Sequence, residues 1–95
     1  SKGGLFSLTK ALAIDYSSFK IRVNSVSPGY IKTKMTAKSF ANKKESKIRI
    51  DKTILKRWGK PEDVLGIIEY LISNKSSYVT GQDFKIDGGY TAKGL

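Results

Sequence analysis

The chain has 95 residues and a formal net charge of +10, set by 15 lysines and 3 arginines against 8 acidic residues. A hydrophobic share of 39% is that of a folded chain and not a disordered one. With no cysteine and no histidine, disulfides and thiolate chemistry are excluded, and the commonest metal ligand and general base are missing.

The first predicted element is a helix over residues 3–18, GGLFSLTKALAIDYSS, with Leu5, Leu8 and Leu12 at i, i+3, i+7 spacing. Phe6, Ala13 and Ile14 widen its apolar arc, so the helix is expected to be buried on more than one side. The pair Ser17-Ser18 ends it. A strand is predicted over residues 20–27, KIRVNSVS, with Ile21, Val23 and Val26 inward, and Pro28-Gly29 stops the run.

Residues 34–58 carry much of the charge. Within them KKESKIRIDKTILKRW is helical by pattern, with Ile50 and Ile54 at i, i+4 and Glu45–Arg49 as an ion pair at the same spacing, and Gly59 as its stop. Residues 61–73, PEDVLGIIEYLIS, form the clearest helix. Pro61 suits the first turn, and Glu62 and Asp63 complement the positive end of the helix dipole. Val64, Ile68, Leu71 and Ile72 make its expected apolar face, and Gly66 is expected to mark a close packing contact. A short strand, DFKID at 83–87, ends at Gly88-Gly89 in a turn that needs positive φ. The order helix, strand, basic insert, helix, strand implies an α/β fold with parallel strands joined by a crossover. Two such strands cannot make a sheet covered on both faces, so further strands are expected from elsewhere.

The stretches SKGGLFSLTKALAIDY, RVNSVSPGYIKT, RWGKPEDV and SSYVTGQDFKIDGG together resemble the short-chain dehydrogenase/reductase family, in its order and at about its spacing. The resemblance implies the C-terminal part of a Rossmann-like, doubly wound parallel sheet. Residues 1–95 are then part of a single domain, with residues 34–60 as its substrate-loop insert. The implied activity is NAD- or NADP-dependent transfer of hydride between nicotinamide and a hydroxyl or carbonyl carbon, with no metal.

Carried over residue by residue, Pro28 and Gly29 turn the chain over the nicotinamide, with Tyr30 in the same turn. Ile31 offers backbone groups to the carboxamide, and the Thr33 hydroxyl bonds the carboxamide or a phosphate. Lys2 matches the end of the family's YxxxK motif, in which the lysine stabilises a tyrosinate and holds the ribose hydroxyls. The tyrosine of that motif would lie four residues before Lys2, ahead of Ser1, and the family's carbonyl-polarising serine is likewise not in this sequence. The 95 residues alone are therefore expected to be inactive.

The insert is strongly basic: Lys38, Lys43, Lys44, Lys47, Arg49, Lys52 and Lys56 are offset only by Glu45 and Asp51. It reads either as a solvated flap or as a preference for an anionic or sugar-type substrate. The expected partners are a small alcohol or carbonyl compound and copies of the same protein, as a tetramer or dimer. No nucleic acid and no membrane is expected, and the expected location is cytoplasmic, since no apolar run reaches membrane length and no signal-peptide pattern opens the chain. A small basic nucleic-acid-binding module is the alternative from charge alone, unsupported by any aromatic stacking platform. A truncated relative with only an assembly role is the other.

Overall fold

A computed structural model describes residues 2–93, with side chains from residue 4 onward. Helix α1 spans Lys2–Asp15, strand β1 Ser25–Pro28, helices α2 Ala37–Ala41, α3 Lys43–Asp51 and α4 Pro61–Ile72, and strand β2 Asp83–Ile86. Short 3-10 turns occupy Ser17–Phe19, Asn74–Ser76 and Thr91–Lys93. β1 and β2 are neighbours in a two-stranded sheet. The amide of Ser25 bonds the carbonyl of Gln82 and that of Gly29 bonds Ile86, so both chains advance in the same direction and the pair is parallel. The backbone divides into two compact units, Ser1–Ser27 with Gly66–Phe84, and Pro28–Leu65 with Lys85–Leu95.

In the first unit, α1 buries one face. Thr9 and Ala13 are buried and Phe6 and Leu12 half-buried, while Leu5, Leu8 and Ile14 stay exposed. The stripe predicted on Leu5 and Leu8 is thus the outward one. The threonine is tolerated inside because its hydroxyl bonds back to the Leu5 carbonyl at 2.9 Å. Lys20 takes a left-handed φ of 59°, which ends the turn after α1 and prevents a strand from starting there. The strand accordingly begins at Ser25, five residues later than expected, and Ile21 is exposed. Ser25 and Ser27 lie two apart on one side of β1, and both hydroxyls donate to Asp83 at 2.8 Å across the sheet.

Helix α4 is close to its prediction, but its half-buried face is Val64, Ile67 and Leu71, whereas Ile68 and Ile72 are exposed. Gly66 is a correction as well, because a Cβ there would meet nothing within 4 Å. Arg22 closes the carboxyl end of this helix. Its guanidinium donates to the carbonyls of Leu71, Ser73, Ser76 and Val79 and to the Ser76 hydroxyl, at 2.8–3.4 Å. A cation at that end also complements the helix dipole.

In the second unit, the helix predicted through Trp58 ends at Asp51. Thr53, almost fully buried, bonds the Ile50 carbonyl through its hydroxyl and accepts the Lys56 amide, while Lys56 adopts a φ of 57°. The chain therefore turns, and Ile54 leaves the face it would share with Ile50. The start of α3 is fixed by Asn42, whose side chain accepts the Glu45 amide at 3.0 Å. The expected Glu45–Arg49 pair is present at 2.8 Å. Gly59, read as a helix stop, instead pairs with Ile31 in a parallel bridge.

Candidate functional site

The carboxyl end of β1 is built by close backbone approach. Gly29 donates its amide to the Ile86 carbonyl at 3.0 Å, and a Cβ at Gly29 would fall 2.8 Å from Cα and Cβ of Asp87. Glycine is needed here for room, not for an unusual φ. Pro28 ends the strand just before it and contributes no amide.

Beyond Gly29 the backbone alternates. The Tyr30 carbonyl accepts from Gly59 at 2.8 Å and the Lys32 amide donates to the Gly59 carbonyl at 2.9 Å. The amide and carbonyl of Ile31 must then point to the opposite edge. There the carbonyl accepts from the Thr36 hydroxyl at 2.7 Å. The Ile31 amide has no hydrogen bond among the described residues. Thr36 also accepts the Thr33 amide at 2.8 Å, and its hydroxyl lies 3.4 Å from that of Thr33. The exposed Thr33 hydroxyl and the Ile31 amide are thus set by one clamp, Thr36, which pattern reading missed. Its signal is the second threonine of TKMT, three residues on, a spacing suited to a local side-chain-to-backbone bond.

Tyr30 is fixed by its ring neighbours. The Trp58 ring lies 6.0 Å away, Tyr90 meets it edge-on at 5.7 Å, and the Arg49 guanidinium sits 5.2 Å over its face. Trp58, the buried apolar centre of this unit, is oriented by an indole bond of 2.7 Å to the Ser46 hydroxyl and by Phe40 edge-on at 5.6 Å. α3 thereby anchors the insert to the Tyr30 turn. The Arg49 bond holds the Glu45 carboxyl below the usual range, assisted by Ser39.

A cleft of about 220 Å³ opens beside this turn, lined by Tyr30, Ile31, Thr53, Arg57, Asp63 and Asp87 among others. Asp63 accepts the Lys60 amide at 2.7 Å and Arg57 at 3.1 Å. Those two bonds, the backbone one first, keep its carboxyl below the ordinary range. Asp87 accepts the amides of Gly89 and Thr91 and the Thr91 hydroxyl, which fixes the turn where Gly88 and Gly89 show the expected positive φ of 62° and 90°. Of the residues singled out from the sequence, Pro28, Gly29, Tyr30, Ile31 and Thr33 form one continuous turn, and only Tyr30 and Ile31 reach the cleft. The Lys2 side chain lies outside the described residues. Among the described residues no group of three or more acidic side chains could hold a metal ion, and no helix is long and apolar enough to cross a membrane.

A Pro-Gly turn at the carboxyl end of a parallel strand, with an unspent amide at its tip, is the kind of place where open α/β sheets take up ligands. Comparison with known proteins makes this specific. The family model described as enoyl-(acyl carrier protein) reductase matches residues 1–91, and the chain belongs to this family of short-chain dehydrogenases/reductases. It is 45% identical over 94% of its length to a 3-oxoacyl-(acyl-carrier-protein) reductase of Thermotoga maritima, covering 35% of that protein. It is 41% identical over 98% of its length to cyclohexanol dehydrogenase of an Acinetobacter strain, again covering 35%. The structure of 4-hydroxyisoleucine dehydrogenase complexed with NADH superimposes with a TM-score of 0.91 at 44% identity, over 96% of this chain and 37% of that one. The chain thus spans about a third of the length of the relatives it matches.

Proposed function

We propose that this chain forms the nicotinamide side of an NAD- or NADP-dependent oxidoreductase that moves hydride between the ring and a hydroxyl or carbonyl carbon. Residues 1–95 are then the C-terminal part of one Rossmann-type domain, with 34–60 as the loop over the substrate. The observation that carries the reading is the Ile31 amide, held outward at the end of β1 with its carbonyl already bonded to Thr36. An amide donor fits a carboxamide oxygen, and the Thr33 hydroxyl beside it can accept from the carboxamide nitrogen. Pro28 and Gly29 set the backbone that presents both groups, and Tyr30 ties it to the insert. When bound, the nicotinamide supplies the hydride chemistry, and this chain's residues hold and orient it. Lys2, by family resemblance, would bind the ribose hydroxyls and tune a tyrosine four residues before it. That the relatives named above are dehydrogenases and reductases, one of them solved with NADH, supports the same reading.

The substrate class is a small alcohol or carbonyl compound, of sugar or anionic type, and the working form is a cytoplasmic homo-oligomer. The protein carrying this chain should oxidise or reduce members of an alcohol and ketone panel, followed by nicotinamide absorbance with both dinucleotides. Absence of turnover with either dinucleotide across the panel contradicts the proposal.

A further inference from the structure

We infer that the ammonium groups of Lys56 and Lys93 form a binding site for a phosphate-class oxyanion, separate from the nicotinamide turn. Lys56 Nζ at 2.7 Å and Lys93 Nζ at 2.9 Å both donate to one atom, the backbone carbonyl oxygen of Asp51 at the end of α3. Two cations are thereby brought to a single uncharged acceptor. Like charges so placed disfavour each other. The effect is visible in Lys93, whose ammonium is held below the ordinary lysine range chiefly by Lys56 beside it.

The Asp51 carboxylate offsets this only in part, drawing on Lys56 and Lys93 as well as on Lys47. The Asp51 side chain is engaged by Lys47 at 2.9 Å, so one acidic group stands among three lysines.

The convergence is built into the backbone. Lys56 is, among the described residues, one of two non-glycine residues with a left-handed φ, and its amide is pinned to the hydroxyl of Thr53, itself 2% exposed. Lys93 closes the last 3-10 turn, its amide bonded to the carbonyls of Gly89 and Tyr90. That turn is tied by Thr91 to Asp87. Two segments distant in sequence thus aim their side chains at one point.

The chemistry selects the ligand. Each ammonium has three N–H donors and spends one on the Asp51 carbonyl, which leaves two on each nitrogen. A tetrahedral oxyanion with about two negative charges can accept from both nitrogens at once and cancel both cations. A chloride offers one point of contact, and a carboxylate only one charge. Free phosphate and the phosphate of a monoester share the favoured chemistry.

The test is titration of the full chain with inorganic phosphate at constant ionic strength, in the absence of any nucleotide, with the backbone amides of residues 56 and 93 followed by NMR. A second arm uses glucose 6-phosphate. Saturable shifts are expected, and Lys56→Gln or Lys93→Gln should each weaken binding about tenfold or more. Lys20→Gln, an exposed lysine of the other unit, should leave it unchanged. Tighter binding of the monoester assigns the site to an esterified ligand, and equal binding assigns it to free phosphate. A linear, salt-like response shared equally by Lys20→Gln overturns the inference. So does saturable binding that survives both substitutions in folded variants, as judged by circular dichroism. Because no nucleotide is present, failure here leaves the nicotinamide reading standing, and success does not depend on it.

Discussion

At the scale of single residues, the site depends on distances that side chains of the wrong size would violate. Gly29 is the clearest case, since its would-be Cβ meets backbone and side-chain carbon of Asp87, neither of which is a flexible tip. Gly29→Ala should therefore cost about 1–3 kcal/mol, the usual range for overpacking. Chemical denaturation that finds the variant as stable as the parent would contradict the close approach. The Pro28-Gly29 pair was recognisable in the sequence as a break, but its reason was not. Asp87 lies 58 positions further on in the chain, and only the parallel pairing of β1 with β2 brings it to Gly29. The same holds for Arg22, whose five acceptors all lie some fifty residues away at the end of α4.

At the scale of elements, α4 was legible because its start signals are local: Pro61 in the first turn and acidic residues behind it. Its inward face was misjudged by one position, since the helical arc is broad and the partner that selects Ile67 over Ile68 is not visible in the pattern. The insert failed for a related reason. The apolar spacing of Ile50 and Ile54 continues a helix on paper, whereas the Thr53 hydroxyl satisfies the backbone in a turn instead. Gly66 separates propensity from packing. With open space at its Cβ, Gly66→Ala should raise the stability of the chain by up to about 1 kcal/mol, the intrinsic preference of a helix for alanine. A loss on thermal denaturation would mean that something covers this face.

Asp63 gives α4 a pH response of defined sign. The folded carboxyl is depressed, first by the Lys60 amide and then by Arg57, so its contribution is present above the unfolded value of about 3.9 and is lost as pH falls through the folded value. The stability gap between parent and Asp63→Asn should be constant near neutrality and shrink in acid. A gap that widens in acid reverses the sign and contradicts the bonding described.

At the scale of the whole molecule, the fold class was readable because four separated stretches agree in order. Large apolar side chains remain exposed on α1 (Leu5, Leu8, Ile14) and on α4 (Leu65, Ile68, Ile72). Exposed apolar side chains of this kind favour association, and symmetric assembly covers them. Sedimentation of the protein that carries this chain should show a dimer or tetramer, and a stable monomer across the micromolar range would contradict the oligomeric reading.

The central claim is that the turn from Pro28 to Thr33 holds nicotinamide through the Ile31 amide and the Thr33 hydroxyl. The most direct measurement is the amide NMR signal of Ile31 in the protein that carries this chain, titrated with NADH and NADPH, for the parent and for Thr33→Ala. The account predicts a saturable downfield shift at Ile31 with at least one of the two. Thr33→Ala should weaken the affinity by about 1 kcal/mol, the net value of one hydrogen bond, while leaving the fold intact. An Ile31 amide that does not move while either dinucleotide binds, or an affinity indifferent to Thr33→Ala, would contradict it.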